Sequence, residues 1–342
     1  MTLTDPGPRS RRDSGNDLGH LADVAGRITA SVERVIDGKR DVIRMALVVL
    51  LAEGHLLIED VPGVGKTMLA KTLARSIDAR IRRIQFTPDL RPSDITGVGL
   101  PNRSGGFDFS PGPIFANIVV GDEINRAEPQ AQAALLECME EHQVTVDGVS
   151  YRLEPPFLVI ATQNPIEMEG TNPLLEAQRD RFTARVSMGY PSPAAELAMV
   201  DTHGTANPLD DVEPVTDVAE INKLVTVVRG VHIHDDMRQY IVDLVTATRR
   251  PHPELILGAS PRATLHFVRA ARARAALDGR DFVVPDDIQA LAGPVLAHRL
   301  VVHPEMALAG VPASETSARL VAEILARVPI PRPGVRGPYR GR

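Results

Sequence analysis

A strand, a glycine-rich turn and a helix follow one another between His55 and Arg75, and this stretch constrains the fold more than any other. The apolar residues 56–58 predict a short buried strand, and residues 67–75 have the spacing and composition of a helix. The turn between them reads Asp-Val-Pro-Gly-Val-Gly-Lys-Thr over residues 60–67. Glycines followed by Lys-Thr in a strand–turn–helix context predict a loop that binds phosphate groups.

Each residue type in this loop has a part in phosphate binding. Gly63 and Gly65 allow the backbone to curl so that its N–H groups point at phosphate oxygens. Lys66 supplies a point charge to the outer phosphates, and the Thr67 hydroxyl is a ligand for Mg²⁺. Asp60 stands where the usual motif has its first glycine and brings a negative charge close to the phosphates. The alternative interpretation is a tight turn that merely needs glycines.

Polar residues follow two further apolar strands. Asp122 and Glu123 come directly after residues 118–121, and downstream of a phosphate loop they predict a Mg²⁺ ligand and a general base for the attacking water. Asn164 follows the strand predicted at residues 157–162, where its amide suits a hydrogen bond to that water or to the γ-phosphate. The alternatives are an exposed acidic strand end and an ordinary Asn-Pro turn.

Composition excludes several classes of protein. A chain of 342 residues has room for two domains, and a net charge of −6 argues against a protein that coats nucleic acid. A single cysteine, Cys138, excludes an intrachain disulfide, and no apolar run reaches the roughly 20 residues of a membrane span. Residues 1–20 lack the apolar segment of a secretory signal. We therefore expect a cytoplasmic protein.

The remaining pattern predicts the order of the elements. Residues 1–20 are expected to be disordered, and a break at Asp37-Gly38 divides the helical stretch 21–52. Hairpins are predicted at 97–110 and 144–151, the second around an Asp-Gly turn. The predicted strands are 80–87 and 185–190, and the predicted helices are 130–141, 174–182, 194–202, 221–228, 236–248, 261–277, 286–298 and 316–326.

The sequence closely resembles the MoxR group of AAA+ ATPases over nearly all of residues 21–328. Five stretches carry the resemblance, and their order and spacing are more specific than any one of them. They are EDVPGVGKT at 59–67, GDEINRA at 121–127, ATQNP at 161–165, EAQRDRF at 176–182 and GASPRA at 258–263. This family tolerates an aspartate at the position of Asp60.

The resemblance implies a two-domain architecture. It predicts an α/β fold in which a P-loop NTPase αβα core, with a central and mostly parallel five-stranded sheet, spans residues 21–206. An all-helical lid domain is expected at 207–328, followed by a disordered basic tail at 329–342. The inserted hairpins are expected to face the pore of a ring or its substrate.

The resemblance also implies the site residues. Asn164 corresponds to the sensor of the γ-phosphate, Arg181 to an arginine finger offered to the neighbouring subunit, and Arg262 to a second sensor that reaches its own subunit's phosphates. From the residues alone, two structural roles are equally good interpretations: Arg181 as a surface ion-pair partner, and Arg262 as an arginine at the start of a helix. The implied ATP-binding residues are Val35, Ile36, Pro62, Gly63, Val64, Gly65, Lys66, Thr67 and Met68, with Thr67 and Asp122 at Mg²⁺.

One segment departs from the family pattern, because Asp37-Gly38-Lys39 stands where relatives often carry a Gly-Gln pair beside the adenine. The resemblance implies a ring of copies of this chain, usually six, that hydrolyses ATP and remodels or matures client proteins. It also implies a partner with a von Willebrand factor A domain. The alternatives are a helicase-like or chelatase-like motor and a nucleotide-gated scaffold with little turnover. The acidic composition argues against the nucleic-acid motor.

Overall fold

Five parallel strands form the central sheet of the computed structural model, which describes residues 11–103, 107–164, 172–197, 208–305 and 312–331. The strands are β1 (Leu56–Glu59), β2 (Ile81–Gln85), β5 (Ile118–Asp122), β8 (Leu158–Gln163) and β9 (Ala184–Val186). Their order in the sheet is β2-β5-β8-β1-β9, and every neighbouring pair is parallel, which confirms the predicted sheet.

Helices cover both faces of this sheet. Leu56 and Ile58 of β1 point into one apolar cluster and Leu57 into another, as the two-residue period of a strand requires. The first face carries α1 (Arg11–Glu33), α2 (Arg40–Leu51) and α3 (Lys66–Ser76), and the second carries α4 (Pro92–Thr96) and α5 (Pro129–Glu141). This is the predicted αβα core.

The two inserted hairpins form as predicted and contact each other. One is β3 (Gly97–Pro101) with β4 (Phe107–Pro111), and the other is β6 (Gln143–Val146) with β7 (Val149–Arg152). The rings of Phe109 and Tyr151 stack between them, with centroids 3.9 Å apart. The hairpins therefore project from the core as one unit.

The C-terminal domain is helical, with one small sheet that the sequence did not predict. Its helices are α7 (Val218–Arg229), α8 (Asp235–Ala247), α9 (Pro261–Leu277), α10 (Pro285–Leu296) and α11 (Ala313–Arg327). The antiparallel strands β10 (Leu255–Leu257) and β11 (Val301–Val302) pair within this domain, so the all-helical expectation was wrong in this detail. Such short strands show no periodicity of their own.

The first helix begins earlier in the chain than predicted. Helix α1 begins at Arg11, so residues 11–20 are helical rather than disordered. Leu18 and Leu21 are buried in the main core, and this packing supplies the stability that the polar sequence does not show. Residues 1–10, the domain boundary near 206 and the tail after 331 lie outside the described residues, as does the predicted helix beyond residue 197.

The two domains share one apolar cluster. Helix α9 of the lid packs against α1 and α2 of the core, and the buried residues of both domains belong to the same contiguous cluster.

The short helix α6 (Glu176–Arg179) replaces the longer one predicted at 174–182 and leads into β9. Among the described residues no helix is long and apolar enough to cross a membrane.

Candidate nucleotide site

The loop between β1 and α3 has the curled backbone that its glycines predicted. Gly63 and Gly65 adopt φ angles of 86° and 91°, which L side chains rarely adopt, and Gly65 caps the helix that begins at Lys66. The Lys66 ammonium donates hydrogen bonds to the carbonyl oxygens of Asp60 at 2.6 Å and Val61 at 3.0 Å. The lysine thus lies across the loop, beside a helix N-terminus that favours anions.

The carboxylate of Asp60 is held by hydrogen bonds at the start of this loop. It accepts hydrogen bonds from the Ser187 hydroxyl at 2.8 Å and from the backbone N–H groups of Gly189 at 2.6 Å and Val61 at 2.8 Å. Burial alone would raise the pKa of Asp60, but these hydrogen bonds outweigh it and lower the pKa. Asp60 therefore connects the start of the loop to the segment that follows β9.

A hydroxyl and a carboxylate meet at the carboxyl edge of the sheet. The Thr67 hydroxyl donates to Asp122 Oδ2 at 3.0 Å, and the buried Thr162 hydroxyl donates to Asp122 Oδ1 at 3.1 Å. Oxygen ligands of this kind suit Mg²⁺, which binds through one or two protein oxygens together with phosphates and water. The predicted metal residues Thr67 and Asp122 are therefore within hydrogen-bond distance of each other and fit that ion.

Glu123 lies next to this pair in a constrained backbone. Its φ and ψ are 56° and 50°, a left-handed conformation that non-glycine residues adopt mainly where the surroundings impose it. Its backbone N–H donates to the Thr162 hydroxyl at 3.0 Å. Its carboxylate accepts from Gln85 at 3.2 Å and Arg126 at 2.9 Å. The side chain is thus held at the edge where the loop, Asp122 and the end of β8 meet.

Sequence reasoning missed three residues of this edge: Arg83 and Gln85 of β2 and Thr162 of β8. Arg83 Nε donates to Asp122 Oδ2 at 2.6 Å, so a cation already neutralises the carboxylate predicted to hold Mg²⁺. The available signal was the polar composition of residues 82, 83 and 85 in a strand beside β5. Strand order made that signal meaningful, and only the fold supplies strand order.

Asn164 lies one residue beyond the end of β8, at this same edge. Its backbone carbonyl accepts from the Asn125 amide at 3.4 Å. Because β8 pairs with both β5 and β1, the structure places Asn164 beside the segments that carry Asp122 and Lys66.

The Lys66 ammonium is half-buried, and burial lowers its pKa. The negative charges of Asp60, Asp122 and Glu123 oppose this effect but are weaker than burial.

Apolar side chains border the loop on the side predicted for the base. A Cβ added at Gly65 would lie 3.5 Å from Ile36 Cδ1 and 3.7 Å from Met188 Cε. Val35, Val64 and Met68 are half-buried against the same cluster. Lys39, in the segment that departs from the family pattern, donates to the carbonyl of Tyr190 at 2.9 Å and so connects this segment to the chain after β9.

The two predicted arginines lie at the opposite edge of the sheet. Arg181 and Arg262 line one cavity with His55, which precedes β1, and Thr183, which precedes β9. The Thr183 N–H donates to the His55 carbonyl at 2.8 Å, which places this cavity at the amino ends of these strands. The four residues of β1 span about 13 Å at about 3.3 Å per residue, and Lys66 follows the carboxyl end of this strand.

This placement corrects the prediction for Arg262. It was expected to reach the phosphates of its own subunit, but its guanidinium contacts Glu140 and lies 3.5 Å from Asp180 Oδ2. Arg181 lies 3.4 Å from the same Glu140 and donates to the Leu136 carbonyl at 2.5 Å. The reason is the docking of the lid on the face of α1 and α2, which puts the start of α9 beside the end of α5.

The geometry defines a class. A five-stranded parallel sheet in this order, with Lys66 and Thr67 directly after a curled loop and Asp122 and Glu123 at the end of a central strand, is that of a P-loop NTPase, and the attached lid makes it an AAA+ protein. The family model "ATPase family associated with various cellular activities" matches residues 55–184, and the AAA lid domain matches residues 247–324.

Known proteins narrow the class to a family. The uncharacterized protein YeaC of Bacillus subtilis is 47% identical over 92% of this chain and 98% of its own. Chaperone MoxR1 of Mycobacterium tuberculosis is 41% identical over 80% of this chain and 75% of its own. A crystal structure from Cytophaga hutchinsonii, assigned as an ATPase, superposes with a TM-score of 0.86 at 35% identity and covers 94% of this chain and 99% of its own. The chain belongs to the MoxR family of AAA+ ATPases.

Proposed function

We propose that this protein binds ATP with Mg²⁺ and hydrolyses it at the interfaces of a ring of identical subunits. The observation that carries the proposal is the division of the site: Lys66 and Asp122 lie at one edge of the sheet, and Arg181 and Arg262 at the other. One subunit therefore holds two halves of different sites. A second copy, placed edge to edge, brings the arginines of one chain toward the loop of the next.

Within one half-site the residues divide the work of phosphoryl transfer. The loop N–H groups and Lys66 bind the triphosphate, and Thr67 with Asp122 would hold Mg²⁺, which neutralises charge on the phosphate oxygens. Glu123 accepts a proton from the attacking water as general base. Asn164 orients that water or the γ-phosphate. ATP binding replaces the two carbonyl partners of Lys66 with phosphate oxygens.

The other half-site supplies positive charge in trans. Arg181 and Arg262 share Glu140, so their guanidinium groups lie close enough to approach one triphosphate together. A finger of this kind is worth roughly 10³–10⁵ in rate in other P-loop enzymes. Turnover therefore depends on assembly, and both arginines act on the neighbouring subunit's nucleotide.

The proposed biological role is remodelling or maturation of a client protein in the cytoplasm. Support comes from the family, since the Mycobacterium tuberculosis relative is named a chaperone, and from the two inserted hairpins. Phe107, Leu100 and Val149 of these hairpins are 71%, 51% and 52% exposed, and such apolar side chains suit contact with another polypeptide. A partner with a von Willebrand factor A domain and a six-membered ring are proposed from the family resemblance.

Mixed-subunit assays test the proposal. Glu123→Gln should bind ATP with unchanged affinity and lose turnover. Arg181→Ala and Lys66→Ala should each be inactive alone, whereas a mixture should recover turnover, because one variant retains the loop and the other the finger. Arg319→Ala, which alters an exposed arginine of α11, is the control and should keep full turnover.

Two results would contradict the proposal. A mixture of Arg181→Ala and Lys66→Ala that stays inactive while forming complexes would show that the finger does not act between subunits. Turnover at background level in assembled wild-type protein would instead support a nucleotide-gated scaffold.

A further inference from the structure

The segment that carries Arg181 is held by a buried arginine of the lid. The side chain of Arg299 is only 1% exposed. It donates to the carbonyls of Phe182 at 2.6 Å, Asp180 at 3.2 Å and Thr183 at 3.3 Å. These carbonyls flank Arg181 on both sides. Five N–H donors on a planar guanidinium allow one side chain to bind several acceptors of a loop at once.

A second lid residue binds the same segment. His298 is buried and its Nε2 lies 3.1 Å from the Phe182 carbonyl, so it donates there as a neutral ring. Burial is the main cause that holds the pKa of His298 well below its usual value, and the nearby charge of Arg299 adds to it. Two lid residues, His298 and Arg299, therefore bind the carbonyl of Phe182.

Asp180 joins the segment that carries Arg181 to the helix start that carries Arg262. Its Oδ1 accepts from Arg299 Nε at 2.9 Å, and its Oδ2 accepts from the Ser260 hydroxyl at 2.7 Å and lies 3.5 Å from Arg262 Nη1. Ser260 is the N-cap of α9, and Arg262 is the second residue of that helix. The buried carboxylate of Asp180 thus connects the segment that carries Arg181 to the start of α9, which carries Arg262.

We propose that Asp180 and Arg299 are positioning residues that join Arg181 and Arg262 into one unit moving with the lid. Neither contacts the nucleotide in this arrangement. The inference rests on the proposed function, in which both arginines complete the neighbour's site. Its consequence is that a change in lid orientation moves both guanidinium groups together, so the lid of one subunit controls hydrolysis in the next.

The variant Asp180→Asn tests this unit, since it removes the charge and keeps the shape. Its matched control is Asp287→Asn, which neutralises a buried aspartate within the lid that Arg280 binds at 2.6 and 2.7 Å. We expect Asp180→Asn to lower kcat about tenfold or more, because misplacement of a catalytic group by about 1 Å costs up to about 10²-fold. The ATP dissociation constant should change less than about twofold, because the loop of the same subunit is untouched.

A second measurement does not depend on turnover. Hydrogen exchange of the backbone at residues 181–183 should speed up in Asp180→Asn and stay at the wild-type rate in Asp287→Asn. Should Asp180→Asn fail to fold, Ser260→Gly removes one hydrogen bond to Asp180 while glycine still serves as an N-cap. It should give a smaller change in the same direction.

The outcomes separate the two proposals. Equal losses of kcat in the aspartate variant and its control would reduce the role of Asp180 to general lid stability and overturn the inference. Unchanged exchange at residues 181–183 would also overturn it. Faster exchange in a protein whose wild-type form hydrolyses no ATP would leave the positioning role standing and refute the proposed function instead.

Discussion

Glu140→Gln tests whether the isolated subunit holds its arginines in a resting position. Glu140 lies at the end of α5 and contacts both Arg181 and Arg262. If those guanidinium groups serve the neighbouring subunit, they must leave Glu140 when they reach a triphosphate. The glutamine keeps the size and an acceptor oxygen but loses the charge, so the variant changes the competition and little else.

The magnitude follows from exposure. The side chains of Glu140, Arg181 and Arg262 are 37%, 29% and 34% exposed, so solvent screens both ion pairs. Exposed pairs are worth about 0.2–1 kcal/mol each, and the two together about 1 kcal/mol. In Glu140→Gln these ion pairs no longer compete with the neighbouring subunit for the two arginines. Association between subunits should therefore strengthen about fivefold, since 1.4 kcal/mol corresponds to a factor of ten. This is far smaller than the loss expected from removing the finger.

The assay is ATP turnover against subunit concentration. Glu140→Gln should shift the half-maximal concentration down about fivefold at low salt, with less shift at high salt and no change in the plateau. Glu137→Gln, an exposed glutamate on the same helix, is the control and should leave the curve in place. A lower plateau in Glu140→Gln would refute the reasoning, because it would make Glu140 a support of the arginines rather than their competitor.

Three further predictions follow from buried contacts. His55 is buried and its pKa is lowered to about 3, against about 6.5 in the unfolded chain, so its contribution to stability is present above pH 6.5 and is lost as the pH falls toward 3. The free energy of unfolding should fall in that range by about 1.4 kcal/mol per pH unit for this residue, and denaturant titrations at several pH values should show a weaker pH dependence in His55→Gln. Gly54→Ala should lower the melting temperature and the turnover together, because its Cβ would lie 2.0 Å from Thr183 Oγ1 at the start of β9; wild-type values would contradict the packing. Tyr151→Ala removes the ring that stacks on Phe109. It should lower the free energy of unfolding by about 1 kcal/mol beyond the effect of lost burial, as measured by thermal unfolding, while ATP affinity stays unchanged.

The sequence determined the conformation of the loop between β1 and α3 and the residues that follow it. Glycines at 63 and 65 fix the backbone of the loop, and Lys66 and Thr67 follow within the same turn, so their placement depends on neighbours in the chain. The strands that precede Glu123 and Asn164 were visible as short apolar runs. Helix α9 was predicted with its observed bounds, from Pro261 to Leu277. All these features arise from local conformational preferences, which a sequence displays directly.

The tertiary structure decided where the positive charges lie. Arg262 meets Glu140 across 122 positions, and Arg299 meets Asp180 across 119. No local pattern encodes such contacts, because they depend on how the lid packs against α1 and α2. Packing of α1 against distant helices made residues 11–20 helical, and the pairing of β2 with β5 brought Arg83 to Asp122. The sequence thus specified the loop that we propose binds phosphate, and the packing of apolar faces between distant segments specified that the guanidinium groups lie at the other edge of the sheet.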